Sequence, residues 1–109
     1  MTKITIFVRN QNILGFIADQ HAGNGDDVGE IVCHGVSALT LTCVLSMEAL
    51  AGLSEEEMSA EQSEAFLSIR IPEDAVSEKT DTIFRTMLVG LRAIEREYKS
   101  YINIETLEV

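Results

Sequence analysis

Basic residues are scarce in this chain. Only 8 Lys and Arg stand against 18 Asp and Glu among 109 residues, a net charge of −10. A nucleic-acid backbone is gripped by stripes of Lys and Arg, so direct nucleic-acid binding is not expected. Cysteine is scarce too, with two in the chain. That is too few for a disulfide framework, and no C-x-x-C or H-x-x-x-H pair supplies the spacing that marks a zinc site. Proline occurs once, at Pro72. The first ten residues, MTKITIFVRN, hold no apolar stretch of signal-peptide length, so reduced thiols in a cytoplasm are expected. The longest apolar region, residues 31–53, is interrupted by His34, Ser37, Thr40, Thr42, Ser46 and Glu48. A membrane span needs ~20 mostly apolar residues, and a buried core helix is the expectation instead.

What remains is an ordinary globular balance, 46% hydrophobic and 24% charged, in one domain over residues 1–109. Ile4, Ile6 and Val8 alternate with Thr5, Phe7 and Arg9, "NQN" reads as a turn, and "ILGFIAD" as the returning strand of a hairpin. Gly15 inside that strand predicts a bulge or a close approach by another segment. A Gly- and Asp-rich loop runs from Gln20 to Gly29, and a helix from about Glu30 to Leu50 ends at Gly52. Its apolar residues Ile31, Val32, Val36, Leu39, Leu41, Val44 and Leu45 leave no wide polar face, which predicts burial on most sides. "SEEEMSAEQSE" is an acidic connector in which Ser54 and Glu57 have capping-box spacing. A strand then points Leu67, Ile69 and Ile71 inward and stops at Pro72. A second helix carries the stripe Ile83, Phe84, Met87, Leu88, Leu91, Ile94 and Tyr98, and "YINIETLEV" closes the chain as a strand. The predicted fold class is α+β in the order ββαβαβ, two helices packed on a mostly antiparallel four-stranded sheet.

The unusual feature is a thiol, Cys33, where the loop becomes helix. Helix N-termini carry unpaired N–H groups and partial positive charge, which favour a thiolate and can hold an oxyanion. This makes Cys33 a candidate nucleophile. His34 is adjacent on the helix and leaves the axis about 100° away, whereas His21 stands across the loop at a strand end and is the candidate base. Residue chemistry alone leaves two other readings open. Cys33 can be a small buried hydrophobe, as Cys43 deeper in the helix is expected to be, or a metal ligand with His21 and His34. Ser37, one turn beyond Cys33, lines the pocket or back-bonds within the helix.

The stretch HAGNGDDVGEIVCHGVSALT resembles the signature of the ribosomal-processing cysteine protease family, Prp. His21-Ala22, Ile31-Val32-Cys33 and Val36-Ser37-Ala38-Leu39 match its pattern, as does the spacing from His21 to Cys33. The hairpin before and the αβαβ order after extend the resemblance over the whole chain. Gln20 stands where the family has Gly, Glu30 where it has Asp, and His34-Gly35 where it has two small residues.

The resemblance implies a cysteine endopeptidase that removes the N-terminal extension of a large-subunit ribosomal protein (number twenty-seven) during ribosome assembly. His21 and Cys33 fall on the catalytic dyad. It further implies a homodimer, with no cofactor or metal. Gly23, Gly25 and Gly29 would let the loop open and close over the peptide, with Glu30 and Ser37 in supporting positions. The acidic charge suits a basic protein partner. A different class of function, a non-catalytic acidic module that binds a basic ribosomal or other protein, fits the same charge.

Overall fold

The computed structural model describes residues 1–20 and 26–109. Strand β1 (Thr2–Arg9) turns through Asn10 and Gln11 into β2 (Asn12–Gln20). Both turn residues have positive φ, 52° and 70°, which matches the twist of a two-residue hairpin. Helix α1 (Asp27–Ala51) follows, then the short β3 (Glu61–Ser63) and β4 (Phe66–Arg70). A 3-10 turn at Glu73–Ala75 leads into α2 (Glu78–Glu97), and β5 (Ile102–Glu108) ends the chain.

The strands form one sheet in the order β3-β4-β2-β1-β5. Three pairings are antiparallel, and β1 with β5 is parallel, the crossover between β4 and β5 containing α2. The sheet therefore has five strands where the sequence predicted four. The extra one, β3, is three residues long and wholly exposed, so it carries no apolar alternation to reveal it.

Gly15 meets both expectations placed on it. Phe7 pairs with Gly15 and Val8 with Ile13, which leaves Leu14 as the extra residue of a bulge. The Leu14 carbonyl accepts from the Ile71 N–H at 2.8 Å, so the bulge turns a backbone group toward the end of β4. A Cβ on Gly15 would lie 2.1 Å from the Ile69 carbonyl oxygen. Only glycine lets β2 and β4 approach this closely.

Alternate residues of the strands, among them Ile4, Ile6, Phe16, Ala18, Leu67, Ile69, Ile102 and Ile104, form one buried layer with the inner faces of the helices. From α2, Phe84, Met87 and Leu91 are buried. The Phe84 ring meets Phe16 edge-on, with centroids 6.5 Å apart, a geometry that contributes about 0.5–1.5 kcal/mol beyond its burial. Helix α2 starts at a reciprocal box between Ser77 and Thr80. Ser54 and Glu57 make the same exchange at 3.1 Å in the acidic connector, around a single turn.

Helix α1 differs from its expectation at its start and on its outer face. It begins at Asp27, with Asp26 as the cap whose Oδ1 accepts the Gly29 N–H at 2.6 Å. Asp27, Val28 and Gly29 are helical rather than loop, because Asp26 caps better than Glu30 would. The far end is as read: Gly52 adopts φ 70°, and its N–H and that of Leu53 both reach the Met47 carbonyl. Burial is confined to one face, through Val32, Val36, Thr40, Cys43, Val44 and Met47. On the other side Ile31 is 59% exposed and Leu45 62%, with Leu41 and Leu50 also open. The apolar outer face explains why the sequence suggested burial all round. By length and composition alone α1 is apolar enough to cross a membrane, yet its inner face is built into the core.

Candidate active site

The polar residues around Cys33 come from two elements. Cys33 and Ser37 lie four residues apart on α1 and so share one face of the helix. Gln20 ends β2, held there by its main-chain N–H to the Ala65 carbonyl at 2.7 Å. The Gln20 side chain crosses to the helix. Its Oε1 accepts from the Cys33 thiol at 2.6 Å, and its Nε2 donates to Ser37 Oγ at 3.1 Å. Ser37 Oγ also lies 3.3 Å from Gln20 Oε1. Gln20 is buried, at 6% exposure, while Cys33 and Ser37 are half-buried. A buried amide needs partners, and these two supply them.

Beside this cluster is a hollow of about 100 Å³ between α1 and the β3–β4 hairpin, bounded by Gln20, Ser37, Thr40, Gln62, Ala65 and Phe66. A larger groove of about 410 Å³ runs between α1 and α2. It borders Cys43 and Met87 and includes none of Gln20, Cys33 and Ser37. The small hollow reaches Gln20 and Ser37, the two residues bonded to each other beside the half-buried thiol, but Cys33 itself does not line it.

The two thiols are in different surroundings. Cys43 is buried among apolar residues, and burial pushes it up to about 12 from an ordinary 9.0. It stays protonated and inert, as a small core hydrophobe does. Cys33 has a polar partner and access to the surface.

Several expectations shift with the helix start. Cys33 lies six residues after Asp27, in the second turn of α1. The unpaired N–H groups of the first turn are therefore not beside its sulfur, and an oxyanion site built from them does not fit this geometry. Glu30 is exposed in the first turn of the helix. Gly29 has become part of the helix, and an added Cβ there would meet Asp26 Oδ1 at 2.9 Å. It belongs to the cap and not to a hinge. Ser37 bonds Gln20 rather than back-bonding within its helix. His34 is exposed. His21, Gly23 and Gly25 lie outside the described residues, as does half of the glycine-rich loop, residues 21–25. Among the described residues no three of His, Cys, Asp and Glu converge as metal ligands do.

Gln20 is the site residue that sequence reasoning passed over as a partner of the thiol. Its signal was present, since a large amide stands where the resembling family carries Gly, next to His21. That the amide reaches Cys33 depends on the register of β2 against α1, which no local pattern encodes.

Comparison with known proteins identifies the family of the chain. The family model "Cysteine protease Prp" matches residues 1–103. The ribosomal processing cysteine protease Prp of Staphylococcus aureus is 31% identical over 107 residues, covering 95% of this chain and 97% of that protein. The protein of the same name from Bacillus subtilis is 28% identical over 100 residues, covering 89% of this chain and 88% of the relative. Among solved structures, the S. aureus essential ribosomal processing protease Prp in complex with a substrate peptide superposes with a TM-score of 0.81 at 27% identity. It covers 98% of this chain and 100% of that one. A five-stranded mixed sheet with two helices is thus the architecture of the Prp structures as well. This chain belongs to the cysteine protease Prp family.

Proposed function

We propose that this protein is a cysteine endopeptidase that cuts the N-terminal extension from large-subunit ribosomal protein number twenty-seven. The observation that carries the reading is the bond between Cys33 and Gln20. It sets the half-buried thiol against the end of β2, and the next residue in the chain is His21. His21 takes the proton of Cys33, the thiolate attacks the scissile carbonyl, and His21 returns the proton to the leaving amine before water releases the acyl group. The relatives are named for ribosomal processing, and the one from S. aureus is solved both with a substrate peptide and with a covalently linked product peptide. A ribosomal protein is basic, and a net charge of −10 draws it in. The whole chain acts as one protease domain in the cytoplasm.

The protein works as a homodimer in this reading. Ile31, Ala38, Leu41 and Leu45 recur along the outer face of α1 and are all exposed. A second copy of the same helix is a partner that would cover such a stripe, because a two-fold interface sets like against like.

The test is to incubate the purified protein with the extended ribosomal protein and read the products by mass spectrometry. A single cut releasing the N-terminal segment, lost in Cys33→Ala, is the expected result. If the extended protein is bound equally well by protein alkylated at Cys33, and never cut by either form, the chain is instead an acidic binding module.

A further inference from the structure

Gln20 touches the sulfur that is to react, and its amide has faces of opposite polarity: the oxygen accepts hydrogen bonds, the nitrogen donates two. Here Oε1 faces the thiol and Nε2 faces Ser37. Ser37 Oγ is within reach of both, 3.1 Å from Nε2 and 3.3 Å from Oε1. A hydroxyl donates and accepts, so Ser37 can hold the amide in either orientation.

The two states of the sulfur demand different orientations. A thiol is a weak donor and wants an oxygen opposite it. A thiolate only accepts, and an amide oxygen facing it is repulsive. The observed orientation is the one that suits the thiol.

The geometry points to the Gln20 amide as a two-position hydrogen-bond switch for Cys33, held in each position by Ser37. With the proton on sulfur, Oε1 accepts it. When that proton leaves to a base, the amide turns about its last side-chain bond, Nε2 donates to the thiolate, and Ser37 donates to Oε1. Only the S–H bond breaks, and its proton passes to the base, which the proposed function takes to be His21. A hydrogen bond to a charged acceptor is the stronger of the two. The pair therefore favours the thiolate on balance and makes Cys33 more reactive near neutral pH. The inference rests on Cys33 being the nucleophile, but its test needs no substrate.

The experiment uses the full chain carrying Cys43→Ala, so that Cys33 is the only thiol, and follows iodoacetamide alkylation against pH by mass spectrometry. Gln20→Met keeps the side-chain length and removes both polar faces. At about pH 7 it should alkylate roughly tenfold more slowly, as a displacement of about one pH unit requires, with the same plateau at high pH. Gln20→Glu, which puts a carboxylate opposite the sulfur, should move the profile further in the same direction. Ser37→Ala should slow alkylation when Gln20 is present and have no effect beside Gln20→Met. A purely structural role for Gln20 would change the unfolding midpoint and leave the pH profile in place.

The other ionisable groups near the cluster along its own two elements are Asp19 on β2 and Glu30 and His34 on α1, and His21 follows Gln20 in the sequence. They are common to all variants and cancel in the comparison. An unmoved profile in folded Gln20→Met, or one displaced to lower pH, overturns the switch; should Gln20→Glu not fold, Gln20→Met decides alone. Peptide cleavage by Cys33→Ala would overturn the nucleophile assignment separately.

Discussion

Cys33 donates its thiol proton to the amide oxygen of Gln20 across 2.6 Å, joining the second turn of α1 to the last residue of β2. This contact brings a chain segment that ends next to His21 onto the only half-exposed thiol of the molecule. It also separates the roles of the two cysteines.

Cys33→Ala should abolish peptide cleavage and leave the fold intact, since Ala is the best helix former and the lost thiol has one partner. Cys43→Ala should keep most activity and lose about 1–3 kcal/mol of stability through the small cavity it leaves. Mass spectrometry of the cleavage products and urea unfolding check both. Equal activity in the two variants would remove Cys33 from the mechanism.

The histidines should divide in the same way. His21→Ala should reduce turnover by at least about 100-fold, the typical contribution of a positioned base. His34 is exposed on α1, and His34→Ala should change turnover less than about twofold. Large losses from both, together with bound metal in the purified protein, would point to a metal centre instead.

Cys43 gives the molecule an alkaline limit. Its pKa is pushed up to about 12 in the fold from an ordinary 9.0, so folding opposes its ionisation. Its contribution is fully present below pH 9.0 and is lost as the pH rises toward 12. Stability should fall by up to ~1.4 kcal/mol per pH unit in that window, and Cys43→Ala should remove this part of the slope. Urea titrations across the window measure it.

The contact of Gly15 with the Ile69 carbonyl makes Gly15→Ala a test of the fold. With only 2.1 Å available to the new Cβ, β2 and β4 must part, at a cost of about 1–3 kcal/mol or more. The displacement reaches Gln20 along β2, so alkylation of Cys33 should change with it. A urea midpoint unmoved in Gly15→Ala would contradict the close strand approach.

On the outer face of α1, Leu45→Lys should leave the monomer fold unaffected, because Leu45 is 62% exposed. It should convert the proposed dimer to monomer in sedimentation analysis, by setting two like charges together in an apolar contact. A dimer that survives the substitution would move the interface elsewhere.

Much of this architecture was legible in the chain because it is local. The alternation of Ile4 and Ile6, the inward Leu67 and Ile69, and the stripe from Ile83 to Tyr98 each report which face of an element is apolar. The cap glycine Gly52 and the bulge at Gly15 follow from what a missing Cβ permits. The stretch from His21 to Ala38 carries the family by its residue types and spacing. What covers an apolar face is another matter, and the fold alone shows that the core covers Val32, Val36 and Met47 of α1 while Ile31 and Leu45 stay open. That helix starts at Asp27 because the Asp26 side chain reaches the Gly29 N–H, a contact the apolar pattern beginning at Ile31 does not report. β3 has no pattern of its own and exists because β4 offers it an edge. The bond from Gln20 to Cys33 joins residues 13 apart, and whether they meet depends on the register of β2 and the direction in which α1 leaves its cap. Periodicity along the chain fixes the faces of each element. Only packing decides which side chains meet across them.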